Sequence, residues 1–237
     1  MSYNRVNQHT AITGTVGLWQ LDETLNATIG TTNFVISAGT AKYTVLCPKG
    51  PKAFLFDGAT RLIMSGSNTR ITGPLSVLWF QNLETVDESI RYIINQAGTL
   101  TSELEADNIL FAIRQTADTE LGYISEHGAG IDDAYSMTDR KLPTIAPAHM
   151  ALVREQTGSV DTIRLYVNSN EVWSASNVTR PTGGSSSNLY VGGSTSGNFI
   201  FGAVASIMVV TRSILHSEIS DIYDQTLGVN WPRVVLP

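Results

Sequence analysis

Carboxylates are the side chains whose spacing in this sequence comes nearest to chemistry. Glu103, Glu105 and Asp107 alternate along SELEAD, so on an extended strand they would share one face, as paired acids for glycoside hydrolysis must. The reach is wrong for that. A retaining mechanism holds its two carboxyl groups about 5–5.5 Å apart, whereas residues four apart on a strand are separated by ~13 Å at the backbone. With Gly98 to Ser102 on one side and Asn108 on the other, the segment reads as a solvated connector, and no catalytic residue is predicted.

A second acidic group, Glu126, His127, Asp132, Asp133 and Asp139, falls in what reads as one polar loop from Glu126 to Arg140. Hard oxygen donors suit calcium, which makes Asp132 and Asp133 candidate ligands, although the spacing is not that of an EF-hand loop. The histidines His9, His127, His149 and His216 form no HExxH-type pair, so no zinc site is implied. His149, at the head of HMALV, and His216, just before a helix, are expected to make local structural contacts. The lone Cys47 has no internal partner and reads as a buried thiol. Nucleophile elbow, phosphate-cradling loop and CxxC are all missing. Among the aromatics, Trp19, Trp79 and Trp173 sit in strand-like runs and are expected in the core. Tyr123 and Tyr135, beside the acidic stretch, are the candidate rings for stacking a ligand.

The elements that would position these groups are strands. Apolar or alternating runs recur about every dozen residues between Gly, Asn, Asp, Ser and Pro. In DTIRLYVN, Ile163, Leu165 and Val167 share one face. Ile109, Phe111 and Ile113 do so in NILFAIR, and Ile90, Tyr92 and Ile94 in SIRYIIN. LSVLWF and ASIMVV are apolar on both faces, which asks for cover on both sides, and two packed sheets are expected to supply it. One helix is predicted near the end, with Ser217 as its cap, Ile219, Ile222 and Tyr223 as its apolar stripe and Gly228 as its stop. The chain has 237 residues, 15% charged, with a net charge of -6 and no basic stripe, which excludes nucleic acid as a partner. The N-terminus has neither a basic start nor an apolar run, so no secretory signal is predicted. No stretch approaches the ~18 apolar residues of a spanning helix, so no membrane insertion is predicted.

Six pieces in one order, GLWQLDE, KAFLFDGATRLIM, GPLSVLWF, HMALVRE with IRLYVNSNEV, NLYVGG, and FIFGAVASIMVVTRSILHSEISDIYD, resemble the concanavalin A-like lectin/glucanase superfamily and its laminin-G-like jelly-roll domains. The resemblance runs from Gly17 to Asp224. It implies an all-β fold, a two-sheet antiparallel β-sandwich with one short C-terminal helix. It also implies a calcium ligand at Asp57, in the FDG turn, but Ala205 and Ser206 stand where relatives often carry a second acid, so no cofactor is expected beyond an unsupported calcium. In the glucanases of this fold the strand acids run Glu, Asp, Glu. Here they run Glu, Glu, Asp, against catalysis.

The expected organisation is an N-terminal arm at 1–15, the sandwich at 16–228 and a C-terminal arm at 229–237. In the second arm Trp231, Val234, Val235 and Leu236 would contact a partner. Arms around a lectin-like body without a secretory signal point to a non-catalytic bacteriophage virion component, a capsid decoration or tail attachment protein. Its partners would be other virion proteins or copies of itself. The alternative is a soluble carbohydrate-binding module, lectin or adhesion domain recognising a cell-surface glycan. A β-glucanase comes third.

Overall fold

The computed structural model describes residues 9–46, 52–66, 73–84, 91–97, 111–115, 120–126, 132–141, 147–179, 187–193, 197 and 199–228. Glu103, Glu105, Asp107, Cys47, His127, Ile109, Ile90 and both outer segments, 1–8 and 229–237 with Trp231, Val234, Val235 and Leu236, lie outside these residues.

Two antiparallel sheets form a sandwich. Sheet I runs, neighbour to neighbour, β13 (Asn170–Thr179), β12 (Val160–Val167), β11 (Ala148–Thr157), β6 (Leu75–Leu83), β15 (Phe201–Val210), β4 (Lys52–Asp57), β3 (Tyr43–Val45). Strand β1 (Thr15–Trp19) also pairs with β15, along Ile207 to Val210, while β4 pairs with Phe201 to Val204. A bulge between Ala205 and Met208 marks the exchange of neighbours. Sheet II runs β10 (Asp132–Lys141), β9 (Glu120–Glu126), β8 (Phe111–Gln115), β7 (Arg91–Ala97), β14 (Ser187–Val191), β5 (Arg61–Gly66), β2 (Val35–Ala38). Among the described residues no helix is long and apolar enough to cross a membrane.

Alternation does what it predicts in β12: Ile163, Leu165 and Val167 enter the core between the sheets, with Trp19 and Trp79 buried there and Trp173 partly buried against it. In β7 the period breaks. A register shift between Tyr92 and Ile94 makes Ile93 the extra residue, and Ile93 and Ile94 both join the core, as a bulge permits. Asn168 and Ser169 form the two-residue turn from β12 to β13 with φ of 49° and 64°, the left-handed pair that a tight hairpin needs.

Two expectations are corrected. Sheet II covers only one face of β6 and β15. The other carries Leu78, Phe80, Ala205, Met208 and Val210, buried beneath Ile12, helix α1 (His216–Tyr223) and neighbouring strands. A sandwich strand has a single face towards its partner sheet, so strands apolar on both sides require a third layer. Residues 9–14, assigned by sequence to an arm, are part of that layer. The second correction concerns the stretch read as one loop from Glu126 to Arg140: its described residues are strand, the end of β9 at Glu126 and β10 from Asp132, with Asp132 opposite Glu126, Asp133 opposite Ser125 and Tyr135 opposite Tyr123. Among the described strands β10 ends its sheet, a position where a polar sequence is suitable.

The helix packs Ile219, Ile222 and Tyr223 inward as the stripe predicts, and a π-helical turn, Asp224–Gly228, finishes it at Gly228. Its cap differs. Leu215 holds that position and Ser217 lies inside the first turn. The Leu215 amide donates to the Glu218 carboxylate at 2.8 Å, and Arg212 grips the same carboxylate with Nη1 and Nη2 at 2.8 and 2.5 Å. An acidic residue at the third helical position thus replaces a hydroxyl cap.

Candidate functional site

At one end of the sandwich the chain passes between sheets four times: by 39–42 from β2 to β3, by 58–60 from β4 to β5, from the end of β6 at Leu83 to the start of β7 at Arg91, and from the end of β14 at Val191 to the start of β15 at Phe201. FDG is therefore a corner between two sheets, where its sequence suggests a plain turn. Backbone bonds tie the corners together: the Gly58 amide donates to the Ile200 carbonyl (3.0 Å), Ile200 to Gly192 (3.1 Å), Gly192 to Ile93 (3.0 Å) and Glu84 to Phe201 (3.0 Å). This close approach explains the glycines. Gly58 (φ +78°) and Gly192 (φ +85°) adopt left-handed backbone, and a Cβ would fall 2.0 Å from the Phe201 ring at the first and 2.1 Å from the Phe56 ring at the second.

Asp57 sits at the rim of this end. Its carboxylate accepts from the Lys42 ammonium (2.6 Å), the Thr60 hydroxyl (2.8 Å) and the Ala59 amide (3.2 Å). The Lys42 bond, then the Thr60 bond, hold its pKa down at about 2, because each favours the charged form. Opposite Asp57 in the register is Phe201, half-buried with its ring over Gly58, and Phe199 is half-buried nearby in the chain. The rim thus offers an ammonium, a carboxylate and aromatic surface, with the buried Thr60 hydroxyl fixing the carboxylate from beneath. That combination hydrogen-bonds a hydroxyl-rich ligand and packs against its apolar faces.

Calcium does not suit these residues. The Asp57 carboxylate already faces a cation supplied by the chain, and Ala205 and Ser206 lie buried on sheet I instead of at the rim. Asp132 and Asp133 belong to β10, which four strands of sheet II separate from β5, so the structure does not bring them to Asp57. Among the described residues no three His, Cys, Asp or Glu side chains gather to hold a metal. Exchanging 5 mM calcium for a chelator is expected to move the thermal midpoint by less than about 1 °C, since a ligand stabilises only the state that binds it. A calcium-dependent rise of several degrees would contradict this reading of Asp57.

Tyr123 and Tyr135 are brought face to face in the register, but in a row that continues through Ile113 to Ile94 and Val191. Tyr123 on β9 and Tyr135 on β10 are separated by three and four strands of sheet II from β5, the strand that leads out of the Asp57 corner.

Sequence reasoning missed another cluster altogether. His9 and His149, far apart in the chain and in no motif, meet on the outer face of sheet I with their Nε2 atoms 3.2 Å apart. The His9 ring stacks on Phe80 at 4.5 Å between centroids, and Tyr223 of α1 lies 6.3 Å from the His149 ring centre. His9 Nδ1 is 3.0 Å from the hydroxyl of Ser206, the bulge residue with φ of 47°. Burial pushes both imidazoles towards the neutral form, and His149 adds to the effect on His9. His216, expected to make a local contact, instead reaches the Ser169 carbonyl of the β12–β13 hairpin (2.7 Å) and stacks on Tyr166.

The family model of the concanavalin A-like lectin/glucanases superfamily, in its laminin-G form, matches residues 57–220, from the rim aspartate into helix α1. The chain belongs to this superfamily. None of the curated proteins matches it in sequence. Solved structures resemble this superfamily member in fold. Domain 4 of AbnA, an extracellular arabinanase from Geobacillus stearothermophilus, in complex with arabinotriose, is 15% identical with a TM-score of 0.66, covering 88% of this chain and 98% of that one. The binding domain of Paraclostridial Mosquitocidal Protein 1 is 10% identical with a TM-score of 0.65, covering 89% of this chain and 52% of its own. The binding domain of Botulinum neurotoxin DC in complex with SialylT is 10% identical, TM-score 0.65, with 90% and 51% covered. The chain thus spans about half the length of these toxin binding domains.

Proposed function

We propose that this domain is a non-catalytic carbohydrate-binding module that takes its ligand at the crossover rim around Asp57. The rim geometry carries the reading: Lys42 and Asp57, the latter held in place by the buried Thr60, present a fixed donor and acceptor beside half-buried aromatic surface. The superfamily supports it, as do an arabinanase domain matched over 98% of its length and solved with arabinotriose and a toxin binding domain solved with SialylT. These comparisons favour glycan recognition over the virion role expected from the terminal segments. The superfamily name also includes glucanases. Hydrolysis by paired acids needs one carboxyl group protonated and a second ionised, and Asp57, kept anionic by Lys42, meets only half of that need.

A screen against arabinan and sialylated oligosaccharides, followed by calorimetry on the hits, tests the proposal. Asp57→Ala and Lys42→Ala are each expected to weaken binding by about tenfold or more, as for loss of a charge-assisted hydrogen bond, with the fold intact by circular dichroism. Full-strength binding in both variants would remove the rim from consideration. Release of reducing sugar from these ligands would overturn the non-catalytic reading.

A further inference from the structure

We propose that the His9–His149 pair is an acid-sensitive latch, which holds residues 9–12 on the outer face of sheet I near neutral pH and releases them below about pH 6. The bonding around the pair dictates where each hydrogen sits. Gln20 Nε2 donates to the His9 carbonyl (3.1 Å), which leaves Gln20 Oε1 as an acceptor, and the Ser206 hydroxyl donates to it at 2.8 Å. Having given its one hydrogen to Gln20, the Ser206 oxygen can only accept, from the His9 amide and from His9 Nδ1, both at 3.0 Å. His9 therefore carries its hydrogen on Nδ1 and is bare at Nε2. His149 must then donate from Nε2 across the 3.2 Å contact, and it is bare at Nδ1, a buried atom without a hydrogen-bond partner.

Neither ring can take a second proton in this arrangement. A proton on His9 Nε2 would point at the N–H of His149. One on His149 Nδ1 would place a charged donor in a buried position with no acceptor. Among the described residues, the groups packed round the pair are Phe80 of β6, Ser206 and Ala205 of β15, Gln20 beyond β1, Asn168 beyond β12 and Tyr223 of α1, of which Tyr223 is the titratable one and none is a carboxylate. Protonation is accommodated by separation of the rings. The outer element is the one that can move: His9 lies in a short segment, whereas His149 is in the middle of sheet I, paired on both sides.

Beyond the pair, the segment has a pivot whose contacts do not titrate in this range. The Thr13 carbonyl accepts from Arg212 Nε (2.8 Å), the Gly14 carbonyl accepts from the Thr211 amide (3.0 Å), and Gly14 has φ of +87°. Release ahead of Thr13 uncovers Phe80 and part of the apolar cluster that Ile12 packs against.

Nitrogen-15 NMR of the full chain tests each step. At pH 7.5 His9 should show the Nδ1–H tautomer and His149 the Nε2–H tautomer. Between pH 7 and 5.5 the backbone order parameters of residues 9–12 should fall from about 0.85 to below about 0.6 while those of β6 and β11 stay high. In His149→Phe the pH dependence of release should change from two protons to one. Order at residues 9–12 persisting to pH 4.5, melting of the core strands together with the segment, or the opposite tautomers would each overturn the latch. Should His149→Phe fail to fold, the wild-type tautomers and order parameters still decide.

Discussion

Replacing Trp79 with alanine is expected to lower the stability of the domain by about 3–5 kcal/mol, the cost of opening a large cavity in a packed core. Trp79 is wholly buried on β6 between the sheets, among the largest side chains so enclosed. Its Nε1 also donates to Gln81 Oε1 at 2.8 Å, and Gln81 is itself 3% exposed. Truncation would leave that amide without its donor, adding about 1–3 kcal/mol unless water enters the cavity. Trp79→Phe separates the two costs, because it retains most of the packing and loses the hydrogen bond, so it should cost about 1–3 kcal/mol. Urea denaturation measures both. The midpoint should shift with little change in slope, and a Trp79→Ala loss below about 1 kcal/mol would mean that the residue is not central to the core.

Acidification from pH 7.5 to 6.0 is expected to cost about 1.5 kcal/mol of folding stability through His9 and His149, and little more below that, where the released rings take up protons in the folded chain as well. Both rings are fully buried, and burial is the leading cause that lowers their affinity for protons, to a pKa of about 3 for His149. In the unfolded chain each imidazole titrates near 6.5. Below that pH the unfolded state takes up protons that the folded state refuses. The stabilisation is therefore complete above about 6.5 and is lost as pH falls, by ~0.8 kcal/mol per ring at pH 6.0, below which release of residues 9–12 lets the folded chain take up the same protons and the loss levels off. Asp57 and Glu218 act in another window. Their pKa values are lowered to about 2, by Lys42 and Arg212 first, so their contribution persists until pH falls below the ordinary carboxylate range. Chemical denaturation at a series of pH values should show the histidine loss between 7 and 6, with a plateau below, and about half that loss in His149→Phe. A flat profile across that interval would show that the rings are accessible to protons. This equilibrium cost and the local release proposed for residues 9–12 share a cause. They are distinguished by what moves, since the latch predicts freedom of one segment while the core strands remain ordered.

The division between what was legible and what was not follows the range of the interactions. Period-two alternation is a local property, so the inward row Ile163, Leu165 and Val167, the stripe Ile219, Ile222 and Tyr223, and the Asn168–Ser169 hairpin could all be read along the chain. Motif order added the superfamily and the sandwich. Asp57 was legible as a residue of interest from its FDG turn, but its partner was not. Lys42 reaches it because β3 and β4 are adjacent in sheet I, and so forms an ion pair with Asp57. Polar strands were another blind spot: DDAYSMTDRK lacks the apolar alternation that signals a strand, since an end strand forms by backbone pairing with β9.

The sequence by itself thus determined the fold class, the helix stripe and the absence of a local catalytic motif, because each depends on residues within a few positions of one another. Tertiary structure decided the rest. The third layer over sheet I, the gathering of four sheet-to-sheet corners into one rim, and the meeting of His9 with His149 all join segments remote in the chain. Their geometry is set by which strands become neighbours, and no spacing along one stretch of sequence encodes that.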